Sequence, residues 1–432
     1  EAMIAAIDRT LSNQIRPILH HPDFQQLEGA WRGLHHLVAR TETDETLKIK
    51  FIDLSKAELR ETLEAYQGSR SGNPLFVQIH DEAYRRLGGE PFDCLVGDYY
   101  FDHRPQDAAM LRELADICAF IHAPFLAGGA SLLIGTDTWQ EGLSCVNDYF
   151  HFRHRTGEFD PWFSLRATEN ARFLYLVIPR FLARPPYSAA TQPVAEFDFQ
   201  EEDEGTYNHH AFTWFNAAYV MAIVITRAFK QHSWCAQIRG RESSGLIENL
   251  PTHKFPNDCG GVNMQCYTEI AISERRECDI AKTMGFISPI QNTNSDQCFF
   301  IGVQSLRRVR EYPNPDDTAN YALSGRLPYL LAACRFAQYL QCIVRDHIDA
   351  YRDRSHMQNH LQTWLQQYVC DDPANATDKE LARQPLAEAK IVIEEVEHTS
   401  TYYVAKFFVR PIYQLGGLTS SMCLLLRLPA AK

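Results

Sequence analysis

A cluster of charged residues between positions 98 and 107 has the composition of an acid–base site. Asp98 ends an apolar segment, and Asp102 and Asp107 stand on either side of His103-Arg104. Ligand sites in α/β proteins lie at the carboxyl ends of strands, so a carboxylate and a histidine here could act as general acid and base. The same residues could instead form ion pairs and cap the following helix. We favour this structural role and keep a cytosolic α/β enzyme using the Asp98/His103 turn as the alternative.

Histidines and cysteines could also indicate a metal site. His151 and His154 lie three residues apart beside arginines, and His209-His210 form a pair, but neither group has the pattern of a zinc hydrolase. The twelve cysteines are scattered without a Cys-x-x-Cys pair, and several stand in apolar segments. Such cysteines behave as small apolar side chains in a reducing compartment. We therefore expect no metal, no cofactor and no disulfide framework.

Two short motifs resemble parts of enzyme signatures. Gly128-Gly129-Ala130-Ser131 follows a predicted strand, but it lacks the further glycines and the lysine of a phosphate-binding loop. A tight turn after a strand is the simpler interpretation. Ser243-Ser244-Gly245 lacks the Gly-x-Ser-x-Gly elbow of a hydrolase. No motif predicts an enzyme, and we expect no catalytic residue.

Length, charge and hydropathy limit the possible classes of protein. A chain of 432 residues exceeds the usual size of one core, which favours two or more domains. Its net charge of −12 disfavours a nucleic-acid partner, because binding to phosphates requires clustered lysine and arginine. The longest apolar stretch, 217–225, is too short to cross a bilayer. We expect a cytoplasmic protein without a membrane or nucleic-acid partner, and a further segment before Glu1.

Hydrophobic periodicity predicts a mixed α/β organisation. Residues 3–19 form an amphipathic helix with a narrow apolar stripe and no evident partner in the chain, and Pro17 should end or kink it. Ser55-Lys56-Ala57-Glu58 is a capping box that should begin a helix reaching about Tyr66. Further predicted strands lie at 47–54, 92–96, 124–127, 235–238, 268–272 and 297–303, and further helices at 106–121 and 211–229.

The segment 173–187 combines a strand with a stiff corner. Its apolar first part should end at Pro179, because proline has a fixed φ and no backbone N–H. Arg180, Arg184 and three prolines then form a polar corner. We interpret this corner as an assembly surface or a domain joint.

The last quarter of the chain differs in composition. A polar, turn-rich stretch at 311–320 predicts a domain joint, and helices are expected at 327–351 and 357–369. Three β-rich segments follow at 389–396, 402–410 and 421–428, the first two joined by a short turn at His398-Thr399-Ser400. A small sheet leaves open edges to which another chain can add a strand. The prediction is an α/β (α+β) protein with a helical arm at 1–20, an outer domain at 21–320 and an inner domain at 321–432.

A series of short blocks, in order from Leu27 onward, resembles the large subunit of the contractile sheath of type VI secretion systems, the TssC/VipB family. The blocks are 28–34 (EGAWRGL), 91–99 (PFDCLVGDY), 103–105 (HRP), 123–125 (APF), 178–184 (IPRFLAR), 214–219 (WFNAAY), 234–236 (WCA), 238–240 (IRG), 268–270 (TEI), 327–329 (LPY) and 335–336 (RF).

The resemblance implies a structural, non-enzymatic role. Large subunits of this family pair with a small sheath subunit, and the pairs stack as hexameric rings around an inner tube of haemolysin-coregulated protein. The sheath is assembled extended on a baseplate and contracts to propel the tube out of the cell. A ClpV-type AAA+ unfoldase then recycles the contracted form. Arms of neighbouring copies and of the small subunit interlock with the large subunit through shared β-sheets.

Two groups of residues are therefore expected to contact other chains. Arginines on the predicted helices of the inner domain should face the inner tube. Residues of the terminal β segments should belong to the interlocking strands. The first group is Arg345, Arg352 and Arg354, and the second is Ile391, Ile393, Val404 and Phe408.

Overall fold

A computed structural model describes residues 2–70, 72–86, 88–134, 136, 138–139, 157–189, 191–201, 211–235, 238–241, 245–255, 264–291, 295–351, 353–373, 375–395, 402–412 and 421–429. Several of the residues discussed above lie outside these ranges. They are His151, His154, His209, His210, Ser243, Ser244, Arg352 and the predicted turn at 398–400.

The strands of the described chain are β1 Leu95–Phe101, β2 Phe125–Gly129, β3 Leu174–Val177, β4 Phe181–Leu182, β5 Trp214–Phe215, β6 His253–Phe255, β7 Met264–Cys266, β8 Phe286–Ile287, β9 Pro289–Gln291, β10 Cys298–Phe300, β11 Leu386–Glu395, β12 Tyr402–Pro411 and β13 Met422–Pro429. The helices are α1 Ala2–Leu19, α2 Pro22–Ala39, α3 Lys56–Ala65, α4 Pro105–Ile121, α5 Asp160–Arg166, α6 Ala217–His232, α7 Glu274–Met284, α8 Pro315–Leu323, α9 Leu327–Asp346, α10 Arg354–Gln366 and α11 Asp378–Arg383. A helical turn at Pro74–Phe76 continues as a π-helical turn at Val77–Asp81, and 3₁₀ turns lie at Ser131–Ile134, Glu169–Phe173 and Ile348–Ala350.

A parallel sheet with the strand order β1-β2-β3-β8 is the centre of the first domain. Helix α4 connects β1 to β2, so the predicted βαβ pattern and the α/β class are confirmed. The helix begins with Pro105 in its first turn, where a missing N–H costs nothing, and its cap His122 has a left-handed conformation. Helix α6 packs against β1, β2 and β3 and is buried along most of its length.

Local sequence patterns predicted several helix and strand boundaries correctly. The capping box at Ser55 is present in full, with Ser55 and Glu58 each accepting from the other's backbone N–H, and α3 follows it. Strand β3 ends at Val177, two residues before Pro179, as predicted. Helix α1, however, continues through Pro17 to Leu19. A proline this close to a helix end disturbs few backbone hydrogen bonds.

Other predicted elements were wrong because their neighbours decide the structure. Residues 47–54 form no strand, since no described strand lies beside them. Strand β1 begins at Leu95 rather than 92, and the predicted helix at 211–229 begins only at Ala217, where Asn216 caps it. Residues 268–272 form only an isolated bridge at Thr268, and within 235–238 the two described residues are not in a strand. The domain joint at 311–320 stays a prediction, and α8, capped by Asn314, begins within it.

Two glycines of α2 allow this helix to approach β5 and α6 closely. A Cβ atom at Gly29 would lie 2.2 Å from the carbonyl oxygen of Trp214, and one at Gly33 would lie 2.5 Å from the ring of Tyr219. At Gly29 the obstacle is backbone, which cannot turn away as a side chain can. The position therefore requires glycine because of its surroundings.

We predict that Gly29→Ala lowers the thermal unfolding midpoint. Overpacking of this kind costs roughly 1–3 kcal/mol, and the better helix propensity of alanine, worth about 1 kcal/mol, offsets only part of it. Scanning calorimetry of the purified chain measures the change. The exposed position Gln26 of the same helix is the control, because Gln26→Ala alters helix propensity without any contact to β5. Equal midpoints for wild type and Gly29→Ala would contradict the prediction.

The C-terminal sheet has the antiparallel order β11-β12-β13, with the register Ile391 to Phe407 to Leu424 across its centre. Burial alternates along the strands, and the buried side chains pack under α9 and α10. The predicted segments at 389–396, 402–410 and 421–428 are thus confirmed as strands. They share one continuous hydrophobic core with the parallel sheet.

Candidate assembly surfaces

The carboxylates of the predicted acid–base cluster are engaged in structural contacts. The Asp102 carboxylate accepts the Arg104 N–H at 2.8 Å, which closes the turn before α4. Asp107 accepts the Asp102 N–H at 2.8 Å and the Lys56 ammonium at 2.7 Å. These contacts fasten the turn between β1 and α4. They correspond to the structural role that we favoured from the sequence.

Asp98 and His103 do not pair with each other. The His103 ring stacks on Phe159 at a centroid distance of 3.9 Å, and its Nδ1 lies 3.1 Å from the Leu132 carbonyl oxygen. Asp98 instead faces α6, where burial raises its pKa against hydrogen bonds from Asn216 and Tyr219. Among the described residues, no histidine base therefore reaches the Asp98 carboxylate.

The described part of the chain contains no cluster of metal ligands, no disulfide and no membrane-spanning helix. Within it, no three His, Cys, Asp or Glu side chains are arranged to hold a metal ion. All cysteines there are thiols, and burial raises the pKa of most of them, for example Cys118 and Cys334. None of the described helices is long and apolar enough to span a bilayer.

The corner after β3 is an internal joint. Arg184, only 6% exposed, donates from Nη1 to Glu201 at 2.6 Å and from Nε to Glu28 of α2 at 2.7 Å. Arg180 donates to Glu269 at 2.6 Å. Both arginines thus bind carboxylates of their own chain. Arg184 ties α2 to the loop that ends at Glu201, so the corner joins segments within the predicted outer domain. Its role as an assembly surface or a joint between domains stays a prediction.

The electrostatics of this joint favour the charged forms. Burial acts to raise the pKa of Glu28, but the hydrogen bonds and charges of Arg184 and then Arg32 lower it on balance. Arg32 also donates to the Tyr187 hydroxyl at 3.0 Å, and the Tyr187 N–H donates to Glu201 at 2.7 Å. The sequence pattern did not reveal this network. The only signal was that Glu28 and Arg184 each occur in a block shared with the sheath family.

One edge of the C-terminal sheet is filled from within the chain. The N–H groups of Ile391 and Ile393 donate to the side-chain oxygens of Gln362 at 3.0 Å and Gln358 at 2.9 Å. The Gln362 amide donates in turn to the Ala389 carbonyl oxygen at 3.0 Å. Two glutamines one turn apart on α10 therefore replace a neighbouring strand along β11. Sequence analysis missed this pair, although its i, i+4 spacing was visible.

The opposite edge of the sheet, along β13, is more open. The N–H and C=O groups of Ile391 point outward from β11, away from β12. Because these groups alternate in direction along an antiparallel ladder, the register places those of Cys423, Leu425 and Arg427 outward from β13. Of these groups, the Leu425 carbonyl oxygen accepts from His122 Nε2 at 3.2 Å, and no other described residue bonds to them. The Leu425 side chain is 63% exposed. This is an edge to which a strand could be added.

The predicted interlocking residues lie on both faces of this sheet. Ile391 and Ile393 are buried against α10, where their side chains belong to the core. Val404 and Phe408 of β12 lie on the outer face and are half-buried. The outer face thus combines apolar side chains with charged ones such as Lys406, which binds Glu394 at 2.7 Å.

The first two helices expose apolar surface. In α1 the stripe of Ile4, Ile7 and Leu11 points to solvent, while a neighbouring side faces the chain through the buried Ser12 and through Arg16, which donates to the Gln200 carbonyl at 2.8 Å. Polar contacts thus fasten α1 to the chain and leave its apolar stripe exposed. A second patch combines Leu27 and Trp31 of α2 with Phe51, and the rings of Trp31 and Phe51 are 6.4 Å apart and mostly exposed. Contiguous exposed apolar surface marks an interaction site.

Comparison with known proteins identifies the family. A family model described as EvpB/VC_A0108, tail sheath N-terminal domain, matches residues 1–307, and one described as EvpB/VC_A0108, tail sheath gpW/gp25-like domain, matches residues 316–428. The type VI secretion system sheath protein TssC1 of Pseudomonas aeruginosa is 50% identical over 433 aligned residues, which cover 100% of this chain and 86% of that protein. The chain belongs to the large-subunit family of type VI secretion sheaths. The resemblance noted in the sequence is confirmed.

Membership of a structural sheath family agrees with the contacts of the Asp98 and His103 side chains, which bind other parts of the fold and not each other.

The arginines predicted to face the tube in this sheath subunit have different surroundings. Arg345 is largely covered: its guanidinium donates to the carbonyl oxygens of Tyr84 and of Gly89, the latter at 3.0 Å, and to Asp346 at 2.7 Å. Arg354 begins α10 and is exposed. Of the two, only Arg354 presents its guanidinium to solvent.

Proposed function

We propose that this chain is the large subunit of a contractile sheath that assembles with a small sheath subunit into a helical tube around an inner tube, and contracts to propel that tube out of the cell. The observation that carries the proposal is the C-terminal sheet of a sheath-family protein with one edge filled by α10 and the other open along β13. A sheet built in this way adds a strand at one edge only. Copies can then join in a defined order.

The added strand is proposed to come from a neighbouring sheath chain and to pair with the outward backbone groups of Cys423 and Arg427 and with the Leu425 N–H, since the Leu425 carbonyl oxygen already accepts from His122. Main-chain hydrogen bonds hold such a strand whatever its side chains are, and they persist when the chains on either side rotate. Rigid subunits joined by shared strands could therefore move from an extended to a contracted arrangement without separating. Val404 and Phe408 on the outer face of the sheet would contact the chain that supplies the strand.

The small subunit is proposed to bind the apolar stripe of α1 and the patch around Trp31. The stripe faces solvent and has no apolar partner among the described residues, so its burial by another helix would be favourable. We also propose that Arg354 contacts the inner tube through weak ionic contacts that can break as the tube slides. Arg352 remains a proposal of the same kind, whereas Arg345 would first have to leave its contacts with Tyr84 and Gly89.

The remaining partners are proposed from the family alone: further copies in hexameric rings, a baseplate, an Hcp-like inner tube protein and a ClpV-type unfoldase, all in the cytoplasm. The arm at 1–20 and the outer and inner domains are likewise proposals. Because α8 crosses position 320, we place the boundary of the inner domain before Asn314.

We predict that Leu11→Asp weakens the association with the small subunit at least about tenfold, because a carboxylate would be buried without a partner. Co-purification of the two co-expressed chains, quantified by the ratio of their bands, measures the effect. Asn13→Asp adds the same charge on the other side of α1, at an exposed position, and should leave the ratio unchanged. Equal ratios for Leu11→Asp and Asn13→Asp would exclude the stripe as the binding surface.

Negative-stain electron microscopy tests the function as a whole. The chain is co-expressed with the small sheath subunit encoded beside it, and each chain is also expressed alone. Hollow tubes with a cogwheel cross-section that require both chains would support the proposal. Discrete particles of constant size in every preparation would contradict it.

A further inference from the structure

Two arginines share the ring of Phe120 beside the open edge of β13. The guanidinium carbon of Arg70 lies 4.6 Å from the centroid of this ring, and that of Arg427 lies 5.7 Å from it. Arg427 belongs to β13 and is exposed, whereas Arg70 follows α3 and is half-buried. The rings of Phe76 and His80, with centroids 5.5 and 5.2 Å away, pack against Phe120. This ring therefore brings two positive charges together at the edge of the sheet.

The charges of the two guanidinium groups are not paired within the described part of the chain. Neither group forms an ion pair with a described carboxylate. The charges of Asp116 and Glu113 act on Arg70, but Asp116 already accepts from the Asn170 amide at 2.7 Å, and Glu113 accepts from a backbone N–H at 3.4 Å. Burial and then the charge of Arg427 lower the pKa of Arg70. The two cations repel each other, and a carboxylate between them would relieve this repulsion.

The register of the sheet shows which side of Arg427 lacks a partner. On the inner side, the residue opposite Arg427 is Val404, and β12 contains no acidic residue. On the outer side lies the end of α4. His122, two residues after Phe120, donates to the outward carbonyl oxygen of Leu425 at 3.2 Å. Phe120 and the guanidinium stacked on it thus lie on the side of β13 that faces away from β12.

A strand added along β13 would bring a new side chain to this place. Residues directly opposite each other on neighbouring strands direct their side chains to the same face of the sheet, where opposite charges attract and like charges repel. The residue opposite Arg427 in an added strand would therefore lie on the outer face, near both guanidinium groups.

We propose that the strand added along β13 comes from a second copy of this chain and carries an aspartate or glutamate opposite Arg427, whose carboxylate binds between the guanidinium groups of Arg427 and Arg70. This inference rests on the proposed strand addition and assigns its specificity. Guanidinium groups bind carboxylates through parallel N–H donors. A second copy fits the basic site in charge, because the chain has 54 acidic and 42 basic residues.

The two arginines would also select the register of the added strand. Main-chain hydrogen bonds alone allow a strand to slide by two residues, because its side chains then keep their faces. Such a shift would move the carboxylate away from Arg427 and place another side chain beside the two cations. The correct register is thus favoured by an attraction and the shifted ones by none.

Site-specific photo-crosslinking in sheaths assembled from both co-expressed subunits tests the proposal. A photo-reactive phenylalanine analogue replaces Leu425, whose exposed side chain lies two residues from Arg427 on the same face. We expect an adduct of two large subunits. Arg427→Glu should lower its yield at least about fivefold, because an attraction becomes a repulsion, and Arg70→Gln should lower it less. Arg275→Glu reverses an exposed arginine at the start of α7 and should leave the yield unchanged.

Two further measurements separate a lost contact from a lost fold. Raising the salt concentration should lower the yield of wild type, because salt screens exposed charges, and should change the already reduced yield of Arg427→Gln much less. The thermal unfolding midpoints of the purified large subunits, followed by circular dichroism, should agree between wild type and both Arg427 variants.

The outcomes distinguish this inference from the proposed function. Equal adduct yields for wild type and Arg427→Glu would overturn the inference, and so would an adduct with the small subunit instead of a second large one. Either result leaves the proposed function intact, because the sheaths have still assembled. A wild type that forms no tubes with the small subunit would overturn the proposed function and this inference together.

Discussion

Replacing Leu425 with proline is expected to abolish the formation of tubes by the co-expressed sheath chains while the chain itself still folds. The N–H of Leu425 points away from β12, so its loss breaks no hydrogen bond of the ladder inside the chain. Proline is tolerated at such a position of an edge strand, and its ring then lies where an added strand would have to approach. One substitution thus removes a donor from the open edge and obstructs it sterically.

Two further variants make this result interpretable. Leu425→Ala removes the exposed side chain but keeps the N–H, and tubes should still form. Leu426→Pro removes an inward N–H that bonds to β12 and should lower the unfolding midpoint of the chain. Electron microscopy of co-expressed chains scores assembly, and circular dichroism of the purified large subunit scores folding. If tubes form normally with Leu425→Pro, the added strand does not pair along β13.

The second large effect is expected at the buried joint. Arg184→Met should destabilise the fold by roughly 3–5 kcal/mol, because Glu201 and Glu28 lose the guanidinium that compensates their charge in a buried place. Glu201 is almost fully buried, and among the described residues its other ionisable partner is the imidazole of His20 at 3.4 Å, which carries a charge only when protonated. Thermal unfolding at pH 7 measures the loss.

A matched set of variants distinguishes the unpaired charge from the lost packing. The triple variant Glu28→Gln, Arg184→Met and Glu201→Gln removes all three charges and should be more stable than Arg184→Met alone. Arg184→Lys keeps a charge but not the fork that binds two carboxylates, and should be intermediate. If the triple variant is as unstable as the single one, packing rather than charge explains the effect.

The same joint predicts a dependence of stability on pH. The pKa of Glu28 is below its ordinary value of 4.5 in the folded chain. A carboxylate whose pKa is lowered by folding stabilises the fold at pH values above the pKa that it has in the unfolded chain. This contribution is lost as the pH falls through the lower pKa of the folded chain. The unfolding midpoint of wild type should therefore fall more steeply below pH 4.5 than that of Glu28→Gln.

Much of the fold could be predicted from local patterns. The capping box at Ser55, the helix after Pro105 and the three C-terminal strands each depend on side chains that are close together in the chain. A cap needs two residues three positions apart, and a half-buried strand needs only alternation. The family could likewise be inferred from the order of short blocks. These features are encoded locally, so the sequence sufficed to determine them.

The assembly surfaces depended on contacts between distant segments. That residues 47–54 are not a strand follows from the lack of a neighbouring strand in the described part of the chain, which no local pattern reveals. In the sequence, Arg184 is one residue of a polar corner. In the structure its guanidinium pairs with Glu28, which lies 156 positions away. The sequence predicted an open sheet but not which edge is open. Only the packing of α10, which brings Gln358 and Gln362 to β11, leaves β13 as the more open edge of the described sheet. Backbone donors are satisfied by whatever the fold places beside them, and the fold is not visible in a local pattern.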